Sequence, residues 1–112
     1  MGPDRSVPEI CDLPGSAPIE IDENGNLTIS ALIESSPSTE VEWYKRDIPV
    51  SRMDKEKFIV ENEKDTYRLI VKNISPGDSD IYKIVVSGDF GVRTRTYEVE
   101  IGELIYVGFA VH

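Results

Sequence analysis

A chain of 112 residues is long enough for one hydrophobic core and too short for two. Its 39% hydrophobic and 29% charged residues exclude a disordered or membrane-spanning composition. The 21 acidic residues outnumber the 12 basic ones and leave a formal charge of −9, which repels nucleic acid and anionic lipid over most of the surface.

The chain opens on "MGPDRSVPEI", charged and proline-bearing, with none of the apolar stretch of a secretory signal. Met1-Gly2 with Ser6 fits a myristoylation pattern only superficially, because Pro3 lacks the N–H of a good acceptor. Residues 1–17 are rich in Pro, Gly, Ser and Asp without periodicity, and read as a leader or inter-domain linker. They hold the single cysteine, Cys11, which has no intrachain partner and reads as inert.

From Ile19 onward, segments of period two alternate with turn signals. "IEID" (19–22) runs into the tight-turn pair Asn24-Gly25. "NLTISALI" (26–33) sets Leu27, Ile29, Ala31 and Ile33 on one face, and "VEWYKR" (41–46) sets Val41, Trp43 and Lys45 against Glu42, Tyr44 and Arg46. "KFIV" (57–60), "TYRLIV" (66–71), "IYKIVV" (81–86) and "VRTRTYEVEI" (92–101) follow, the last two joined by "SGDFG". Seven or eight short strands with turns between them predict an all-β sandwich of two packed antiparallel sheets, with Leu69 among its core residues. The predicted domain spans 18–101. Residues 102–112 form an apolar tail or an extension of the last strand, too short to cross a bilayer.

Three stretches carry a family resemblance. "GNLTISALIESSP…VEWYK" is similar to strands B and C of an immunoglobulin I-set domain, with Trp43 at the strand C tryptophan position. "DSDIY" (78–82) resembles the Asp-x-Gly-x-Tyr corner, with Asp80 in place of the glycine, and "SGDFG" resembles the short F–G hairpin. Titin-, twitchin- and obscurin-type muscle proteins carry tandem arrays of such domains. The resemblance implies that Tyr82 hydrogen-bonds to backbone a few residues upstream, and that Asp78 pairs with Arg52 or Lys55.

It also implies a cysteine at 31 and another at 84, where this chain has Ala31 and Ile84. A bridge closing that loop contributes roughly 4 kcal/mol, whereas burying Ile84 contributes about 1.5–3 kcal/mol. The cytosol does not offer the bridge. An immunoglobulin-like domain with no intradomain disulfide, held by packing, is expected to be cytoplasmic, in the sarcomere or cytoskeleton. The alternative is an extracellular adhesion or receptor domain that lacks its disulfide. The sequons Asn26-Leu27-Thr28 and Asn73-Ile74-Ser75 favour that alternative, although Pro76 weakens the second. A regulatory segment beside a kinase is a third option by family association.

Catalytic chemistry has little footing. The one histidine is His112, the last residue, and it lies far in sequence from Cys11. "DFG" (89–91) lacks a glycine-rich loop and a catalytic loop, and reads as a hairpin. "DENGN" and "DSD" lack calcium-loop spacing and read as turns. No enzyme activity, cofactor or metal is expected. The expected partners are proteins and neighbouring domains of the same chain. The outward face would show Glu42, Tyr44, Ile81, Lys83, Val85, Thr94 and Thr96, with Tyr44 beside Val85 as the seed of an interface. Arg93 and Arg95 form a small basic site that either meets an acidic partner or stays as solvated rim charge. The tail, through Leu104, Ile105 and Tyr106, lengthens the last strand or pairs with an exposed edge of another chain, giving self-association.

Overall fold

Alternation of apolar and polar residues makes each strand amphipathic, and two such sheets hide their apolar faces against each other. The computed structural model describes residues 8–34, 36–89 and 91–102. Nine strands are present among these residues, two of them only two residues long, and there is no α-helix.

In the first sheet, β1 (Ile10–Cys11) and β2 (Ile19–Ile21) both pair with β3 (Leu27–Ile33). Beyond β3 lie β7 (Thr66–Val71) and the edge strand β6 (Phe58–Glu63). The second sheet runs β5 (Ile48–Pro49), β4 (Glu40–Lys45), β8 (Asp80–Gly88), β9 (Gly91–Val99). Every pairing is antiparallel.

Register then fixes the core. Leu27, Ile29 and Ala31 stand opposite Val71, Leu69 and Tyr67. All six are buried, as is Ile33 at the end of β3. On the facing sheet Trp43 is opposite Ile84, and Tyr82 is opposite Tyr97. Ala31 and Ile84 thus sit on different sheets within one core cluster, both fully buried, with the indole of Trp43 beside Ile84. A large aliphatic and a small one fill the middle of the sandwich without a crosslink.

A 3-10 turn at Pro76–Asp78 leads into β8. The Tyr82 hydroxyl donates to the Asp78 carbonyl at 2.6 Å. The Asp78 carboxylate accepts from the Ser75 N–H at 2.8 Å and from Lys57 Nζ at 3.2 Å. The expected basic partners of Asp78, Arg52 and Lys55, are therefore replaced by Lys57. Lys57 immediately precedes β6 and also donates to the carbonyls of Lys72 and Asn73, so the sheet register holds its amine over this corner. Lys55 instead donates to the Ser51 carbonyl at 2.8 Å.

Arg46 and Asp47 form the two-residue hairpin between β4 and β5, both with positive φ, 48° and 64°. That is the backbone handedness tight hairpins require, and it carries a steric cost for residues with a Cβ. Both are anchored to β8: Arg46 to Asp80 at 3.1 Å and Asp47 to Lys83 at 2.8 Å.

The N-terminal boundary differs from the expected leader over 1–17. Ile10 and Cys11 pair with Ile33 and Leu32, so the sheet begins within that stretch. A two-residue strand next to Pro8 and Pro14 has no alternation to reveal it; neighbours distant in sequence create it. At the other end Ile101 is still core, and its N–H donates to Ser79 Oγ at 2.8 Å. Ile10 lies at the Ile33 end of β3, whereas Ile101 and Ser79 lie at the opposite pole, beside the start of β8. The tail residues Leu104, Ile105 and Tyr106 lie outside the described residues.

Candidate protein-interaction face

Strand pairing also fixes what the second sheet shows to water. Glu42, Val85 and Thr94 form one row across β4, β8 and β9, and Tyr44, Lys83 and Thr96 form the next. Glu40 and Ser87 flank them on one side, Ile81 and Glu98 on the other. Ile81 is 49% exposed. Between β4 and β8 lies a groove of about 440 Å³, lined by Glu40, Val41, Glu42, Tyr44, Val85 and Ser87.

Charge on this face is distributed unevenly. Lys83 Nζ sits 4.9 Å above the Tyr44 ring while pairing with Asp47, which ties the aromatic floor to the hairpin. Glu42 Oε2 accepts from Ser51 Oγ at 3.0 Å. Asp80 accepts from the Ile81 N–H at 2.7 Å and from Arg46. Partial burial raises the pKa of its carboxyl. The Ile81 hydrogen bond and the nearby Arg46 and Lys45 outweigh burial and hold it below its ordinary value.

Four residues expected at a partner surface are divided by the structure. Tyr44 and Val85 line the same groove. Arg93 and Arg95 stand opposite Val86 and Ile84, so they project toward the opposite side of β9, at the rim between the sheets. Arg95 already has an acidic partner in the chain: Asp12, at 2.9 Å. It also donates to the Ile10 carbonyl at 3.4 Å and covers the Tyr97 ring at 5.3 Å. Arg95 thus clasps the first strand to the last, and the pair sits at the rim rather than on the face that carries Tyr44 and Val85.

A second groove, of about 290 Å³, escaped the sequence reading. It lies where the edges of the two sheets meet and is lined by Val50, Ser51, Lys55, Phe58, Ile59 and Val60. Its residues all come from the stretch 50–60, which runs from the 3-10 turn at Val50–Arg52 through Lys55 into the first half of β6. Val60 and, on neighbouring β5, Ile48 are half exposed.

Among the described residues no group of three or more His, Cys, Asp or Glu side chains is placed to hold a metal ion. Cys11 is exposed on β1.

The family model of the immunoglobulin I-set domain matches residues 8–101. A solved structure of a chimeric titin Z1Z2 carrying an exogenous decorin peptide is 18% identical, with a TM-score of 0.69 over 87% of this chain and 95% of that one. The M1 domain of titin is 28% identical, with a TM-score of 0.59 over 68% of this chain and 77% of that one. A C. elegans twitchin kinase fragment with immunoglobulin domains is 14% identical, with a TM-score of 0.63 over 86% of this chain and 19% of that one.

Proposed function

The chain belongs to the immunoglobulin I-set family, and on that premise we propose that it is a non-catalytic structural and protein-interaction module. It serves as one domain of a larger intracellular protein of the sarcomere or cytoskeleton. The observation that carries this reading is the closed core. Ala31 and Ile84 are fully buried on facing sheets beside Trp43, so the sandwich is complete without the disulfide that only an oxidising compartment supplies. The likeness to titin and twitchin domains supports the muscle-type setting.

An extracellular adhesion or receptor domain is the alternative, and the Asn26 sequon favours it. Asn26 Oδ1 accepts the N–H of Asn73, a residue with φ 50°, at 3.2 Å. That side chain has a structural task at the turn. An antibody against the domain should decorate the contractile lattice or cytoskeleton of permeabilised cells and leave intact cells unstained. Staining of intact cells would overturn the intracellular reading in favour of adhesion.

A further inference from the structure

We propose that the groove between β4 and β8 receives an extended basic segment of a protein partner, with arginine or lysine at every second position. The inference rests on the reading of the domain as an interaction module and names the chemistry of what one face takes.

Glu40 and Glu42 are two residues apart on β4 and line the same groove, so their side chains repeat at about 6.8 Å, twice the strand rise. Neither has a cationic partner among the described residues; Glu42 accepts only the Ser51 hydroxyl. The cations nearby are already engaged, Lys83 by Asp47 and Arg46 by Asp80, so neither neutralises the pair. An extended peptide presents alternate side chains to one side at the same repeat, which sets an Arg-x-Arg segment in register with the two carboxylates. Arginine suits the task because its planar guanidinium binds a carboxylate through two parallel hydrogen bonds.

Tyr44 and Val85 supply the apolar part of the groove. Since Lys83 already lies over the tyrosine ring, the partner meets Tyr44 with an aliphatic side chain rather than a second cation. The formal charge of −9 attracts a basic segment over longer range. The same charge disfavours a second copy of this chain as occupant. Its own alternating pair, Arg93 and Arg95, is not available while Asp12 holds Arg95.

The test uses an acetylated, amidated hexapeptide, Gly-Arg-Thr-Arg-Val-Gly, titrated into the 15N-labelled full chain at low salt. Amide shifts should concentrate on β4 and β8 and saturate. Glu40→Gln combined with Glu42→Gln should weaken binding at least five-fold. Glu61→Gln combined with Glu63→Gln, an equal charge change on exposed β6, should alter it less than two-fold. A peptide with adjacent arginines, Gly-Arg-Arg-Thr-Val-Gly, should bind at least three-fold more weakly. Absence of saturable binding, scattered shifts, equal loss in the two double variants, or indifference to arginine spacing would each overturn the proposal. So would self-association in sedimentation that Glu40→Gln with Glu42→Gln abolishes, since a second copy would then be the occupant. None of these outcomes bears on the cellular location tested by antibody, so the two readings fail separately.

Discussion

The Tyr82 hydroxyl donates to the carbonyl of Asp78, four residues upstream, across 2.6 Å in a fully buried corner. Tyr82→Phe keeps the ring and removes the donor, leaving a buried carbonyl without its partner. Such a loss costs about 1–3 kcal/mol. Urea unfolding should show that drop with an unchanged slope; a change under 0.3 kcal/mol would mean the corner does not depend on this bond.

The Asp78 carboxylate offers a sharper comparison. Lys57→Met should destabilise the fold by about 1.5–3 kcal/mol, the range for hydrogen bonds to charged groups, because the carboxylate is 10% exposed and keeps only the Ser75 N–H. Arg52→Met and Lys55→Met should each cost less than about 0.5 kcal/mol, as surface substitutions do. The reverse ranking in chemical denaturation would return the pairing to Arg52 or Lys55.

In the core, Ile84→Ala should lower the unfolding free energy by about 2–5 kcal/mol, the range for truncating a buried branched side chain. A cost under about 0.5 kcal/mol would be inconsistent with its full burial opposite Trp43.

Asp12→Asn should leave global stability within about 1 kcal/mol, because the Arg95 pair is 34% and 48% exposed. Locally it should speed hydrogen exchange at the Cys11 and Leu32 amides while leaving Leu69 protected. Unchanged exchange at Cys11 would show that backbone pairing alone holds β1.

Tyr82 and Tyr97 give the domain an alkaline limit. Burial pushes both hydroxyls above the ordinary value of 10, helped by the charges of Asp78 and Asp80 at Tyr82. At Tyr97 the Asp12 charge adds to the rise and Arg95 opposes it. A group whose folded pKa lies above its unfolded one contributes stability that is complete below the unfolded value and lost as pH rises past it. Stability should therefore hold up to about pH 10 and fall beyond it. Absorbance of these two tyrosinates should appear only with unfolding; ionisation of all tyrosines near pH 10 with an intact circular dichroism spectrum would contradict this.

Alternation made the middle of the sandwich legible. Leu27, Ile29, Ala31 and Ile33 announce their shared face because β3 is long enough to show the period, and Trp43 and Tyr82 stand at recognisable spacings. Tyr44 and Val85 could be placed on one face for the same reason. What stayed hidden depends on partners remote in sequence. Ile10–Cys11 is a strand only because β3 and Arg95 hold it. Asp78 had several basic residues within sequence reach, and the register of β6 selected Lys57. The groove around Phe58 and Val60 is the exception: its lining lies within residues 50–60, and what hid it is the path of that stretch from the edge of one sheet to the edge of the other, which alternation does not report.

The placement of Ile10 and Ile101 at opposite poles has a mechanical consequence. A pull on the two ends runs along the strands, so the first bonds to feel it are the short ladder from Ile10 and Cys11 to β3 and the grip of Arg95. The link from Ile101 to Ser79 bears the strain at the other end. The inner strands β3, β7, β4 and β8 are shielded until one of these fastenings lets go.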